Sequence, residues 1–290
     1  MKIDAQTTLV GVMGWPIAHS LSPQMHNAAF DALGLNWRYL AFAVPPGQVG
    51  AAVEGLKALG LRGCNVTVPH KEAVIPFLNH IPEEVRRFGA VNTLILDRQD
   101  NLCSVTGENT DVQGFLRALR QGGFEPQGRR ALVVGAGGGA RGVVYALCLA
   151  GAAAVTVLNR TAERAAALVN DLAQHAAHTH LSTTSLDSLP DQALTADLLV
   201  NTTTVGMWPH TDASIWPVSL PIPAHLTVCD LVYRPIETRL LQHAQRCGAP
   251  IIDGLGMLIA QGALSFQMWT GQWPPEDVMR TACEAVLHTV

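Results

Sequence analysis

A glycine-rich segment between an apolar strand and an apolar helix is the strongest constraint on the fold of this chain. Residues 131–134 have the pattern of a buried strand, and residues 143–149 continue as the body of a helix. Gly135 allows the tight turn between them, Gly137 lets the backbone approach a pyrophosphate, and Ala140 replaces the glycine where the helix packs on the strand. The segment therefore predicts a Rossmann-type domain whose helix N-terminus binds dinucleotide phosphates. The candidate phosphate-binding residues are Gly135, Ala136, Gly137, Gly138, Gly139 and Ala140.

The turn after the next strand indicates which dinucleotide is bound. Residues 154–158 form that strand, and it ends in Asn159-Arg160-Thr161 where an NAD-binding chain usually carries an acidic residue. Arg160 and Arg164 can bind a 2′-phosphate, and Asn159 and Thr161 can add hydrogen bonds, so NADP is the expected cofactor. The alternative is that Thr161 is an N-cap and Arg164 a solvated helix residue.

Composition argues against several other classes of protein. The net charge is −4 and no basic run exceeds two residues, which argues against a nucleic-acid surface. Six cysteines occur without metal-ligand spacing, so we expect buried reduced thiols and no metal site. Residues 9–15 are broken by glycines and fit a first strand better than a signal peptide, and the uncharged residues 142–158 fit a strand, helix, strand pattern better than a membrane span. We expect a cytoplasmic protein with a small-molecule partner. The oligomeric state stays open, with a homodimer among the options.

The order of strand-like and helical patterns predicts two α/β domains. In the first third, strands at 9–13, 37–42, 62–66 and 91–96 alternate with helices at 23–33 and 47–59, which predicts a mostly parallel sheet covered by helices. Ser22 before Pro23 is the expected N-cap of the first helix, and Gly34 is expected to end it.

The remaining patterns predict a doubly wound, six-stranded second domain. A helix from about 110 to 122 leads into it, and strands at 198–201, 227–231 and 250–252 follow the first two, with one strand between 175 and 195 left uncertain. Helices at 254–269 and 275–288 end the chain. The predicted domains are 1–113 for substrate binding and catalysis, 114–253 for NADP binding, and 254–290 as helices that return to the first domain.

Lys71 and a set of short polar motifs mark a second site in the first domain. Of the 19 basic residues, three are lysines, and lysine can transfer a proton where arginine cannot. Several of the motifs, at 20–23, 65–67, 90–93 and 107–111, fall at expected strand ends, where open α/β sheets bind ligands. Asp111 falls in the first turn of a helix, whose dipole favours a negative charge.

These motifs resemble those of the shikimate dehydrogenase family over nearly the whole chain. The resemblance rests on motifs at 14–23 (GWPIAHSLSP), 65–71 (NVTVPHK), 90–93 (AVNT), 107–111 (GENTD), 135–142 (GAGGGARG), 159–161 (NRT), 201–207 (NTTTVGM), 230–235 (DLVYRP) and 254–263 (GLGMLIAQGA). Their order and spacing make the resemblance highly specific.

The resemblance implies NADPH-dependent reduction of 3-dehydroshikimate to shikimate in aromatic amino-acid biosynthesis, with Lys71 and Asp111 as the catalytic pair. Which of the two is the formal acid stays open. By position, Ser20 and Ser22 would bind the substrate carboxylate. The residues implied around the ring are Asn65, Thr67, Asn92, Asp111, Tyr233 and Gln261, and those implied at the cofactor are Thr202, Val232, Gly254 and Met257. His19, His26 and His70 are expected to be structural.

Two alternatives stay open. The nearer one is a quinate/shikimate dehydrogenase with broader substrate or NAD use; the Tyr39 hydroxyl could serve a quinate-type pocket, while Thr67 and the turn at 159–161 argue against it. The more distant one is a non-catalytic NADP(H)-binding sensor, and the presence of both Lys71 and Asp111 argues against it.

Overall fold

The structure is a computed structural model that describes residues 3–100 and 102–287. The chain divides into two compact units. The first contains the described residues up to Asp111 and those from Ile259 onward, and the second is Val112–Leu258.

The first unit is built on a five-stranded sheet in the order β2-β1-β3-β4-β5. The first three strands in this order are parallel, while β4 pairs antiparallel with both β3 and β5. The strands are β1 (Thr8–Gly14), β2 (Trp37–Ala43), β3 (Gly63–Val66), β4 (Thr93–Gln99) and β5 (Leu102–Glu108), and the helices before β4 are α1 (Ser22–Ala32), α2 (Val49–Ala58) and α3 (Glu83–Phe88).

Two local predictions for this unit need correction. The sequence analysis did not predict β5, which alternates apolar and polar residues at the edge of the sheet and lacks the continuous apolar run of a buried strand. Ser22 is not the N-cap of α1. Leu21 already has helical dihedral angles and occupies the cap position, so Ser22 is the first helical residue and its side chain makes no cap bond. Gly34 follows the end of α1 with a φ of +66°, as predicted.

The second unit contains a fully parallel six-stranded sheet in the order β11-β10-β9-β6-β7-β8. When the strands are numbered along the chain from β6 and read from the β8 edge of the sheet, the order is 3-2-1-4-5-6. This is the order of a doubly wound dinucleotide-binding fold, and the predicted fold class is confirmed. Its strands are β6 (Arg130–Val134), β7 (Ala154–Leu158), β8 (His180–Thr184), β9 (Leu198–Asn201), β10 (Thr227–Asp230) and β11 (Ile251–Ile252). The remaining helices are α4 (Asp111–Gln121), α5 (Gly138–Leu149), α6 (Ala162–Leu172), α7 (Leu189–Ala193), α8 (Arg239–Arg246), α9 (Gly254–Thr270) and α10 (Glu276–Leu287).

The C-terminal part of α9 and helix α10 complete the core of the first unit. Helix α10 packs against α1, and Phe266 of α9 stacks on Phe30 of α1 at 4.8 Å between ring centroids. The Trp269 indole N–H donates to the carbonyl of Leu94 in β4 at 3.0 Å. These contacts fix the C-terminal part of α9 against the sheet that carries the polar motifs. Among the helices in the described residues, none is long and apolar enough to cross a membrane.

Candidate active site

Three strand ends bring the polar motifs of the first unit to one edge of its sheet. Asn65 of β3 pairs in register with Thr93 of β4, and Thr93 pairs with Glu108 of β5. Because β4 runs antiparallel to its neighbours, its first residue lies beside the last residues of β3 and β5. The residues that follow β3 and β5 therefore meet at this edge, and Lys71 and Asp111 are among them.

Lys71 and Asp111 form a half-buried ion pair. The Lys71 ammonium nitrogen lies 2.6 Å from Oδ2 of Asp111, and the two side chains are 20% and 15% exposed. The other carboxylate oxygen, Oδ1, accepts a hydrogen bond from the Asn92 amide nitrogen at 2.8 Å. Both carboxylate oxygens are thus held. The ammonium group has three N–H donors and uses one on Asp111, so it keeps donors for a ligand.

Two buried asparagines, Asn92 and Asn65, continue this arrangement into the protein. The Asn92 oxygen accepts from the backbone N–H of Thr110 at 2.8 Å, which orients its nitrogen toward Asp111. The Asn65 nitrogen lies within hydrogen-bond distance of the Asn92 carbonyl, Thr93 Oγ1 and Ser265 Oγ. The Asn65 oxygen accepts from the Tyr39 hydroxyl at 2.7 Å. Burial raises the pKa of Tyr39 well above its ordinary value, so this hydroxyl is a donor.

The other predicted substrate residues of this unit lie on the segments around the sheet edge. Ser20 precedes α1, and its hydroxyl accepts from the Ser22 backbone N–H at 3.3 Å. The Thr67 backbone N–H donates to the Met13 carbonyl at the end of β1, which ties the segment after β3 to that strand. Gln261 is half-buried on α9, and its carbonyl oxygen lies 3.2 Å from the Ser265 hydroxyl oxygen.

The glycine-rich loop of the second unit fits a dinucleotide pyrophosphate. Gly135 has a φ of +118°, and a Cβ there would collide with the Thr202 hydroxyl, which itself donates to the Val134 carbonyl at 2.8 Å. No described atom lies within 4 Å of a Cβ built on Gly137 or Gly138, so the backbone faces open space. Gly137 is the N-cap of α5, and within the described residues no side-chain hydrogen bond caps this helix. Its first N–H groups can therefore bind an anion.

This loop lies at the topological switch point of the sheet. Val134 at the end of β6 pairs with Asn201 at the end of β9, and the chain leaves these two strands toward opposite sides of the sheet order. Ligands of doubly wound folds bind at this position. Ala136 and Gly139 belong to the same loop and helix start, and Ala140 is fully buried, as expected for its packing role.

Arg160 follows the end of β7, the second strand of this sheet, and Arg164 lies in the first turn of α6; both residues are exposed. Neither belongs to an ion pair within the part of the chain that the structure describes, so both guanidinium groups can bind an anion. Asn159 donates to the Thr161 carbonyl at 2.9 Å, which shapes the turn. Thr161 occupies the N-cap position of α6, without a side-chain cap bond in the described residues.

A buried carboxylate organises the next two loops of this sheet. Asp230, at the end of β10, accepts from Asn201 (2.9 Å), the Val232 backbone N–H (3.0 Å) and the Thr238 hydroxyl (2.6 Å). Burial raises the pKa of Asp230 to about 6, and these three hydrogen bonds oppose the rise. The carboxylate thereby fixes Val232 in the loop after β10.

The residues predicted beside the nicotinamide follow β10 and begin α9. A Cβ on Gly254 would lie 2.6 Å from the Leu231 carbonyl oxygen and 2.7 Å from that of Val232, so only glycine fits there. Tyr233 and Met257 are half-buried. Among the described residues there is no group of three His, Cys, Asp or Glu side chains that could hold a metal ion.

Sequence reasoning missed several residues of the polar cluster in the first unit. Thr93 and Thr110 were part of quoted motifs without a role, and Ser265 was not singled out. All three are buried, and their hydroxyl groups lie within 3.4 Å of one another. For the two threonines, the available signal was their place inside two polar motifs. No local signal marked Ser265.

The doubly wound sheet and its glycine-rich loop place the chain in the Rossmann-type dinucleotide-binding class, here with a second α/β unit that carries a polar site. Three family models match: the "Shikimate dehydrogenase substrate binding domain" over residues 12–94, "Shikimate / quinate 5-dehydrogenase" over 118–208, and the "Shikimate 5'-dehydrogenase C-terminal domain" over 254–284. The shikimate dehydrogenase (NADP(+)) of Moorella thermoacetica is 47% identical over 280 residues, which are 96% of this chain and 93% of that protein. The chain belongs to the shikimate dehydrogenase family.

Two solved structures agree with this assignment. A shikimate dehydrogenase in complex with NADP+ has a TM-score of 0.90 and 37% identity, covering 99% of this chain and 98% of its own. The shikimate 5-dehydrogenase of Thermus thermophilus, in complex with NADP(H) and shikimate, has a TM-score of 0.84 and 39% identity, covering 96% of this chain and 99% of its own.

Proposed function

We infer that this chain is an NADP-dependent shikimate dehydrogenase, which reversibly reduces 3-dehydroshikimate to shikimate in aromatic amino-acid biosynthesis. The observation that supports the mechanism is the Lys71–Asp111 ion pair, in which Asn92 holds the carboxylate at the edge of the first sheet. The chain's membership of the family supports the reaction itself. NADPH, when bound, supplies the hydride. The protein supplies orientation and a proton.

Lys71 is the proton donor in our mechanism. As the C3 carbonyl is reduced, negative charge develops on its oxygen, and the Lys71 ammonium stabilises this charge and transfers a proton to it. Asp111 is the orienting partner, because both of its oxygens already accept hydrogen bonds from Lys71 and Asn92. In the direction of shikimate oxidation, Lys71 accepts the proton of the C3 hydroxyl.

Neutral donors bind the rest of the substrate in this proposal. The hydroxyl groups of Ser20 and Ser22 donate to the carboxylate, which needs no strong counter-charge. Thr67, Asn92, Asp111 and Gln261 bind ring hydroxyl groups. The Asn65 amide nitrogen makes its hydrogen bonds inside the protein, and its oxygen already accepts from Tyr39, so we assign to the second lone pair of that oxygen the contact with the ring.

The second unit holds the cofactor. The N–H groups at the start of α5 bind the pyrophosphate, and Arg160 and Arg164, with Asn159 and Thr161, bind the 2′-phosphate. Thr202, Val232, Gly254 and Met257 line the nicotinamide end, and we assign Tyr233 to the substrate. We propose the functional division 1–113, 114–253 and 254–290, and a cytoplasmic location.

An initial-rate assay tests the function, with shikimate or quinate against NADP+ or NAD+. We expect turnover of shikimate with NADP+, and Lys71→Ala should lower kcat by about 10²- to 10⁴-fold while NADPH binding is retained. Lys57→Ala is the matched control, since the Lys57 side chain is also 20% exposed and forms an ion pair, on α2, with the exposed Glu54.

Comparable turnover of quinate or use of NAD+ would replace this function with the broader quinate/shikimate dehydrogenase. NADPH binding without turnover of either acid would replace it with the non-catalytic sensor. Near-normal turnover by Lys71→Ala would remove Lys71 from the mechanism.

A further inference from the structure

A buried chain of hydrogen bonds ends at the catalytic pair and begins on the far side of β3. It passes from the Tyr39 hydroxyl to Asn65 (2.7 Å), from Asn65 to Thr93 (3.1 Å), and from Thr93 to Asn92 (2.9 Å). Asn92 then donates to Asp111 at 2.8 Å. Tyr39, Thr93 and Asn92 are each no more than 2% exposed, so their hydrogen bonds are with the protein.

The donor and acceptor chemistry gives this chain one direction. Tyr39 donates to the Asn65 oxygen, so the Asn65 nitrogen faces Thr93 and can only donate to it. The Thr93 hydroxyl has one hydrogen, which it donates to the Asn92 oxygen. The Asn92 nitrogen therefore faces Asp111. Every donor points toward the carboxylate, and bonds aligned in this way polarise one another.

Ser265 ties the middle of this chain to helix α9. Its hydroxyl oxygen lies 2.9 Å from the Asn65 nitrogen, 2.9 Å from Thr93 Oγ1 and 3.3 Å from Thr110 Oγ1. Ser265 is fully buried on α9, one turn after Gln261. Because the Thr93 hydrogen goes to Asn92, the Ser265 hydroxyl is the donor in its 2.9 Å contact with Thr93, and a helix far along the chain thus holds the hydroxyl of Thr93 in place.

We propose that Thr93 and Ser265 are positioning residues for the reaction: the Thr93 hydroxyl, held by Ser265, acts together with the Thr110 backbone N–H to lock the Asn92 amide with its nitrogen toward Asp111. The inverted amide would place the Asn92 oxygen against the Asp111 carboxylate, where two acceptors repel, and would release Oδ1 of Asp111. The Lys71–Asp111 pair would then lose its alignment with the substrate. This inference rests on the proposed function, because it assigns Asn92 and Asp111 to the shikimate site.

Thr93→Val removes the hydroxyl at nearly unchanged shape, and Thr93→Ser restores it. Because the hydroxyl makes several bonds and each neutral bond is worth about 2- to 10-fold, we expect Thr93→Val to lower kcat/KM for shikimate about tenfold. The KM for NADP+ should not change, because the proposed cofactor site lies in the other unit. Thr93→Ser should recover most of the loss. Ser265→Ala should act in the same direction.

Thr270→Val is the control on the same helix. Like the Ser265 hydroxyl, the Thr270 hydroxyl lies close to the carbonyl four residues earlier, to which it donates at 2.8 Å, but its partners Phe266 and Gln272 lie outside the chain of hydrogen bonds. The kcat and KM of Thr270→Val should match those of the wild type. Calorimetric binding of shikimate to each variant separates affinity from turnover, and thermal unfolding reports how much of each preparation is folded.

The outcomes separate this inference from the proposed function. If the wild type does not oxidise shikimate with NADP+, the proposed function fails. If the wild type is active, but folded Thr93→Val or Ser265→Ala retains kcat/KM within about twofold, the inference is overturned. Equal losses in Thr93→Val and Thr93→Ser, or a loss of kcat no larger than the loss of folded protein, would also overturn it, because they indicate a structural role only. If Thr93→Val does not fold, Ser265→Ala decides.

Discussion

His26 provides a test of how the first unit is packed, because it is a titratable group buried without hydrogen bonds among the described residues. Its ring stacks on Tyr39 at 4.3 Å between centroids and 2° between planes, and Phe266 and Trp269 also contact it. Neither ring nitrogen has a partner in the part of the chain that the structure describes. Burial therefore lowers the pKa of His26 from 6.5 to about 3.

The lowered pKa predicts that stability is lost as pH falls. Between pH 6.5 and 3 the unfolded chain binds a proton at His26 and the folded chain does not, so the free energy of unfolding decreases with decreasing pH. At pH 4.5, about two units below the pKa of His26 in the unfolded chain, the free energy of unfolding is lower by about 2.7 kcal/mol, because each pH unit is worth about 1.36 kcal/mol. At about pH 7.5 it is close to zero.

Urea unfolding of the wild type and His26→Leu at about pH 7.5 and 4.5 measures this loss. Leucine cannot titrate, so the wild type should lose about 2.7 kcal/mol more than the variant between the two pH values. Contributions common to both proteins, including that of Asp230, cancel in this double difference, as do packing changes that do not depend on pH. An equal loss in the two proteins would refute a neutral, buried His26.

Three further predictions address the second unit. Gly135→Ala should abolish tight NADPH binding, because alanine is strained at a φ of +118° and its Cβ collides with the adjacent loop; fluorescence of bound NADPH checks this, with Gly55→Ala in open helical space as the control. Arg160→Ala should raise the KM for NADP+ far more than that for NAD+, and an equal rise would contradict a 2′-phosphate contact. Asp230→Asn should lower the free energy of unfolding by about 1–3 kcal/mol, because the amide nitrogen opposes a buried donor. Asp212→Asn, which loses an exposed ion pair, should change it by less than about 1 kcal/mol in the same urea titration.

The sequence predicted those features whose cause is local. The glycine turn at 135, the apolar strands of the second sheet and the C-terminal glycine of α1 follow from the backbone needs of a few adjacent residues. Edge strand β5 was missed because half of its residues are polar, and the predicted cap at Ser22 was wrong because the cap is set by the conformation of Leu21. Strongly apolar elements were therefore predicted, while a half-polar edge strand and the start of a helix were not.

The positioning network could not be predicted, because its contacts join distant parts of the chain. Thr93 and Ser265 are 172 residues apart, and Asn65 and Ser265 are 200 apart. Residue type made Asn65 a candidate ligand, yet its amide nitrogen is directed into the protein. A motif reports that a polar side chain stands at a strand end. It does not report whether that side chain faces a ligand or another side chain.

The same network explains how neutral groups can support a charged catalytic pair. A second cation beside Asp111 would compete with Lys71 for the carboxylate and weaken the hold on the ammonium group. An unsatisfied oxygen on the buried side would instead carry a desolvation cost. The Asn92 amide avoids both, since it satisfies Oδ1 without adding charge, and Thr93 and Ser265 keep that amide in the required orientation. The attraction of Asp111 is then directed to Lys71, where the proposed reaction needs it.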